Sequence, residues 1–150
     1  MTTDLADLAL FRPLAPAHRA LIAASAHPEH HPAGTRLFDQ DQPAEHSWVV
    51  LTGCVALDAA VPGRGAVTVQ GVGPGELLGL SWLVPPHRWH FGATVVVPAH
   101  LARLDVARLR ETAERDPEFG YRLSLVLAEA MLHRLQSTRY RLLDLYRNPS

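Results

Sequence analysis

Glycines divide the middle of this chain into short β-type runs, and one long helical stretch closes it. Gly34, Gly53, Gly75, Gly79 and Gly92 punctuate Trp48-Val49-Val50-Leu51, Val67-Thr68-Val69 and Ala93-Thr94-Val95-Val96-Val97. From Pro117 to about Arg147 the pattern turns helical. Short strands at turn-limited spacing cannot bury their apolar faces singly, so they must roll onto one another. The expected class is α+β: a jelly-roll-like antiparallel β-roll of about eight strands, closed as a small barrel, with short N-terminal helices and a long C-terminal one. The expected parts of one domain, 1–150, are helices over 1–26, the β-roll over 27–105 and helices over 106–147.

Composition bounds the function classes. With 150 residues, 47% of them apolar, the chain can build one real core. The net charge is −1 and all 14 basic residues are Arg, so no overall footprint for nucleic acid exists. Cys54 is the sole cysteine, which excludes an internal disulfide and any multi-cysteine metal or iron–sulfur centre. The start of the sequence lacks the regions of a signal peptide, and no apolar run approaches the roughly 20 residues that span a bilayer. A cytoplasmic chain with no membrane contact is expected.

Turn chemistry sets the strand limits. His30-His31 and Arg36-Leu37-Phe38 flank Gly34, and Asp39-Gln40-Asp41-Gln42-Pro43 is a polar loop. Ser47 to Thr52 reads as a strand, Gly53 as a turn and Val55 to Ala60 as the return. Pro62-Gly63-Arg64-Gly65 is a hairpin tip before a strand over Ala66 to Val72, and Gly73-Pro74-Gly75-Glu76 turns the chain again. Ala93 to Val97 and His100 to Leu104 read as two strands meeting at Pro98-Ala99. Residues 4–12 form a short amphipathic helix, and a second begins at Pro16.

Asp105 is placed to cap a helix over Val106 to Arg115. Asp116-Pro117-Glu118 opens the last helix with an acidic cap, a first-position proline and a Glu at the positive end of the dipole. At about 30 residues it runs roughly 45 Å, more than a compact roll can cover. Leu125, Ala128, Leu132, Leu135 and Leu142 follow near-heptad spacing interrupted by Arg139, while Leu123, Leu127, Ala130 and Met131 make a second stripe. One stripe packs on the roll and the other is left for a second copy, predicting a homodimer. Asn148-Pro149 stops the helix. Arg134, Arg139, Arg141 and Arg147 are spread around it and diluted by acids such as Asp144, a solvated surface rather than a DNA face.

These pieces together carry a resemblance. Pro32-Ala33-Gly34-Thr35-Arg36-Leu37-Phe38 with its acidic loop, Trp48-Val49-Val50-Leu51-Thr52-Gly53-Cys54-Val55-Ala56-Leu57, and Gly73-Pro74-Gly75-Glu76-Leu77-Leu78-Gly79 follow one another in an order and spacing that resemble the cyclic-nucleotide-binding superfamily. The similarity is to the sensor domain of catabolite-activator-type bacterial regulators, and the expectation is a stand-alone domain lacking the helix-turn-helix part that follows it in those proteins. It implies a β-roll with a long helix and a cassette after Gly79 that cradles a cyclic phosphate. In that family backbone N–H groups and an Arg hold the phosphate, and a Glu after the Gly takes a ribose hydroxyl. Here the Glu position is Leu80. The Arg-Ser/Thr-Ala run is missing, and its Arg position falls on Trp89, one residue beyond Arg88; a one-residue bulge would bring Arg88 into register. Leu80 accepts no hydrogen bond, which weakens a cyclic nucleotide by tenfold to hundredfold, from about 1–3 kcal/mol for an unpaired buried group.

The stretch from Gly79 to Phe91 is the expected ligand segment. Gly79, Leu80, Ser81, Trp82, Arg88, Trp89 and His90, with Ala93 and Thr94 on the next strand, are the candidate ligand-binding residues. Pro85-Pro86 stiffens the segment, and aromatic faces beside one cation suit a planar or anionic molecule. The alternative is that Trp82 and Trp89 close the roll as core. Adjacent His30 and His31 face opposite sides of a strand and cannot share an ion. No His-x-His pair of a metal-dependent barrel enzyme occurs, so no metal is expected. A heme-linked sensor using His87, His90 or His46 is a minority alternative. No nucleophile–base–acid grouping stands out. The expectation is a non-enzymatic regulatory module that binds a small ligand or adapts to a protein partner, the alternative being a fold kept only for dimerisation and assembly.

Overall fold

A computed structural model describes residues 5–82 and 84–147. Asp4, Leu83 and Asn148-Pro149, which figure in the sequence reading, lie outside the described residues, as do the side chains of Arg141 and Arg147. Six strands make one antiparallel sheet: β1 (His27–His31), β2 (Arg36–Phe38), β3 (His46–Val61), β4 (Gly65–Val72), β5 (Leu77–Leu78) and β6 (Gly92–Asp105). The order is β1-β6-β3-β4, with β2 also on β6 and β5 on β3.

Two expectations need correction here. The sheet is not a closed barrel: β1 and β4 end the path and do not pair with each other. Among the described residues there are six strands rather than about eight, because the two expected breaks are bends within long strands. β3 and β6 run 16 and 14 residues, too long to stay flat over a small core. Register shifts between Val50 and Val55 let β3 bend against β6 without leaving its ladder. Gly53 is the pivot. Its φ is +90°, and a Cβ there would lie 2.5 Å from the Pro98 carbonyl oxygen. Pro98, which cannot donate to a ladder, sits opposite at the same irregularity. The residues that read as turns thus mark where two paired strands coil together.

Other local signals act as the sequence implies. Val61 accepts from the Arg64 amide at 3.0 Å across the hairpin tip. The Asp105 carboxylate accepts from Arg108 N at 3.2 Å and caps α2 (Val106–Arg115). Asp116 accepts from Glu118 N and Phe119 N at 3.1 and 3.3 Å and opens α3 (Pro117–Arg147). Those amides, with His18 Nε2 at 3.1 Å, hold its carboxyl below the usual range. α1 (Pro16–Ser25) starts on its proline as expected. Ahead of it, the expected single helix is two 3-10 turns, Leu5–Asp7 and Ala9–Phe11. An extended Leu8 separates them and lets both Leu5 and Phe11 into the core.

The core joins sheet and helices: Val49, Val50, Val55, Leu78, Val95 and Leu101 pack with Val106 and Phe119. At the β1 end of the sheet, Glu29 collects Trp48 Nε1 at 3.0 Å, His31 at 3.1 Å and Arg103 at 3.1 Å. Burial alone would raise the Glu29 carboxyl, but these hydrogen bonds and charges outweigh it and hold the group below its ordinary value. α3 leaves the core partway along. Phe119, Leu123, Val126 and Leu127 are buried, Ala130 packs at the edge, and Leu132, Leu135 and Leu142 are 55%, 65% and 53% exposed.

Candidate functional site

A cavity of about 430 Å³ lies between the roll and α3. Phe38 of β2 and Leu57 of β3 form its floor, the segment from Gly79 to Phe91 forms one wall, and Met131 and Arg134 of α3 form the other. Its volume falls within the range of small-molecule sites, and its lining is almost wholly apolar.

The geometry begins at Gly79. Its carbonyl accepts from Ser47 Oγ at 3.0 Å and from Trp82 Nε1 at 3.0 Å, so β3 and the segment's own indole fix the turn. Its φ is +93°, and a Cβ would approach the Trp89 ring to 2.8 Å. A side chain at 79 would therefore push Trp89 out. Trp89 is buried, stacked on Phe38 with centroids 4.1 Å apart and set 6.2 Å from Trp48. Its backbone exchanges hydrogen bonds with the polar loop: Asp41 N donates to Trp89 O at 2.9 Å, and Trp89 N donates to Gln42 O at 3.0 Å.

That pairing decides where Arg88 goes. Extended backbone alternates its side chains, so a buried Trp89 turns Arg88 away from the core. Arg88 Nη1 donates to the Asp41 carbonyl at 2.8 Å on the outer side of the loop. The cavity lining includes Gly79, Leu80, Ser81, Trp89 and His90, but not Trp82, Arg88, Ala93 or Thr94. Trp82 is a core residue, Ala93 is fully buried, and Thr94 accepts from Arg36 Nη1 at 2.9 Å. Arg36 also bonds Asp58 and Asp39, and the Asp58 bond leads the contacts that hold its guanidinium well above its ordinary value.

Of the candidate heme ligands, only His90 lines the cavity, where it shares a 2.9 Å hydrogen bond with Ser81. His87 Nδ1 is engaged 2.8 Å from the Trp82 carbonyl oxygen, and His46 lies against Trp48. Among the described residues no three metal-ligating side chains cluster.

Sequence reasoning missed Arg134, Met131, Phe38, Leu57 and Phe91 as lining residues. A signal for Arg134 existed: it continues the stripe Leu123, Leu127, Ala130 at helical spacing, on the inward face. Arg134 Nη2 donates to the Leu77 carbonyl at 2.9 Å. Burial pushes its guanidinium below its ordinary value, against an opposing pull from Glu76. Beyond it, a second cavity of about 290 Å³ holds Glu76, Glu129 and His133, with Glu76 and His133 3.4 Å apart.

Comparison with known proteins gives the fold its relatives. Residues 28–116 match the cyclic nucleotide-binding domain family. The chain is 24% identical over 145 residues to the CRP-like cAMP-activated global transcriptional regulator of Mycobacterium tuberculosis, covering 97% of this chain and 63% of that protein. The chain thus spans less than two thirds of the curated relatives it matches. A crystal structure of a Geobacter metallireducens protein, 28% identical, superposes with a TM-score of 0.80 over 90% of this chain and 99% of the other. The catabolite activator protein of Thermus thermophilus, 26% identical, gives 0.68 over 91% and 62%. Among the described residues, no helix is long and apolar enough to cross a membrane.

Proposed function

Since this chain belongs to the cyclic nucleotide-binding domain family, we propose that it is a non-enzymatic sensor module whose cavity takes a small, mainly apolar ligand in place of a cyclic nucleotide. A regulatory role is supported by the transcriptional regulator it resembles. The observation that carries the ligand reading is the chemistry of the cavity wall. Leu80 occupies the position after Gly79 and offers no acceptor to a ribose hydroxyl, a loss of about 1–3 kcal/mol. Arg88 gives its guanidinium to a backbone carbonyl outside the cavity. Apart from Arg134, a cyclic nucleotide would meet an apolar wall with no partner for its ribose hydroxyl and no Arg88 at its phosphate, whereas an apolar body would gain roughly 25 cal/mol for each Å² it buries.

The same observations support a mechanism. Met131 and Arg134 make α3 one wall of the cavity, while Leu132, Leu135 and Leu142 point away from it. A second copy of the chain covers that outer face as an antiparallel or parallel helix pair, and ligand entry shifts α3 against the roll and so alters the pairing. Exposed leucines at this spacing also favour a second reading, in which the fold serves assembly alone.

Calorimetry and fluorescence separate these. Cyclic AMP and cyclic GMP give flat titrations to about millimolar concentration, while the neutral apolar dye N-phenylnaphthylamine binds with enhanced emission. Micromolar binding of either nucleotide overturns the ligand reading. An inert protein toward nucleotide and dye alike leaves the assembly reading standing.

A further inference from the structure

We propose that the occupant of this cavity is an amphiphilic carboxylic acid, its carboxylate paired with Arg134 and its apolar body against Phe38, Leu57 and Leu80; this rests on the cavity being a ligand site. Among the described residues Arg134 is the one arginine of the lining, beside a histidine, His90, that is bonded to Ser81. It sits on the inward stripe of α3, half-buried, with its charge obligatory at any working pH. Burying a charge without a counter-charge is unfavourable. Glu76 acts on this guanidinium only from beyond ion-pair distance and is itself paired with His133, and the guanidinium's one hydrogen bond among the described residues is from Nη2 to the Leu77 carbonyl. Nη1, Nε and the second N–H of Nη2 are left to serve an incoming acceptor, and that N–H of Nη2 beside Nη1 or Nε makes the fork that suits a carboxylate.

The rest of the lining limits how much charge the ligand carries. Ser81 and His90 are bonded to each other, and Phe38, Leu57, Leu80, Phe91 and Met131 have no polar group to offer. A second anionic oxygen cluster or a polyhydroxylated ring would be stranded. Glu76 and Glu129, in the neighbouring cavity that Arg134 also lines, add a negative border that penalises a dianion further. One negative charge on an apolar molecule fits these walls.

Displacement of N-phenylnaphthylamine by decanoate and by decanol tests this. Decanoate displaces the dye at least about tenfold more tightly than decanol, as expected of a charge-assisted hydrogen bond. Arg134→Met erases that preference while the dye still binds. Arg134→Lys, which keeps the charge, retains a smaller preference. Equal displacement by acid and alcohol, or an unchanged preference in Arg134→Met, overturns the assignment of a carboxylate while the apolar cavity stands. A wild-type protein that never binds the dye removes the cavity reading and this inference together. If Arg134→Met loses the dye through misfolding, Arg134→Lys decides: dye bound without a preference for the acid contradicts the pairing.

Discussion

The two halves of α3 share one helical periodicity and meet opposite surroundings. Over 117–130, Phe119, Leu123, Val126 and Leu127 are buried in the common core, where α3 packs on α2 and the second 3-10 turn and Phe119 meets His18 of α1. Over 131–143, Leu132, Leu135, Leu142 and Leu143 are about half exposed or more, while Arg134 turns inward and donates to the Leu77 carbonyl of β5. The contrast shows what an amphipathic pattern encodes. It fixes which residues share a face, whereas the length of the roll fixes which faces find a partner within the chain. Between the halves lies Met131, which touches the cavity and is 56% exposed.

The largest effect tests the inner half. Phe119 is fully buried and packs on His18 with ring centroids 4.9 Å apart. Phe119→Ala is expected to cost about 3–5 kcal/mol in urea unfolding. An unchanged midpoint would mean this half does not hold the helix. Next, the double change Leu132→Asp with Leu135→Asp is expected to weaken self-association at least about a hundredfold in sedimentation velocity, since it sets like charges in an apolar seam. The isolated chain should then unfold within about 0.5 kcal/mol of wild type, as exposed substitutions do. A wild type that sediments as a monomer at micromolar concentration would break the comparison outright.

Smaller effects sharpen the boundary. Met131→Gln should weaken dye binding about three- to tenfold by setting an amide against the apolar wall, with little change in folding. The smallest effect lies away from α3. The Glu29 carboxyl is held below its ordinary value, so its contribution is complete above the unfolded range and is lost as pH falls through the depressed value. Below about pH 4 the unfolding midpoint should drop, and Glu29→Gln should flatten that drop. An equal drop in the variant would assign acid sensitivity to other carboxylates.

Much of this architecture is written locally. The hairpin at Pro62 to Gly65 and the caps at Asp105 and Asp116 declare themselves because each rests on a few adjacent residues. Gly53 and Pro98 declare an irregularity but not its kind: a positive φ serves a turn or a bulge equally, and only the partner strand decides. The segment after Gly79 is legible as the cavity wall by its aromatic density. The inside–outside choice between Arg88 and Trp89 is not, because it depends on pairing with the loop at Asp41 and Gln42, more than 40 residues earlier. Arg134 reads as solvated alongside Arg139 and Arg141, although its spacing from Leu127 and Ala130 puts it on the inner face.

The chain has two methionines, Met1 and Met131, so a ¹³C-methyl methionine spectrum isolates the one position where cavity wall and exposed helix meet. The Met131 methyl resonance is expected to shift on titration with N-phenylnaphthylamine and to stay fixed when cyclic AMP is added to about millimolar concentration. A saturable shift with micromolar cyclic AMP, and none with the dye, would contradict the account.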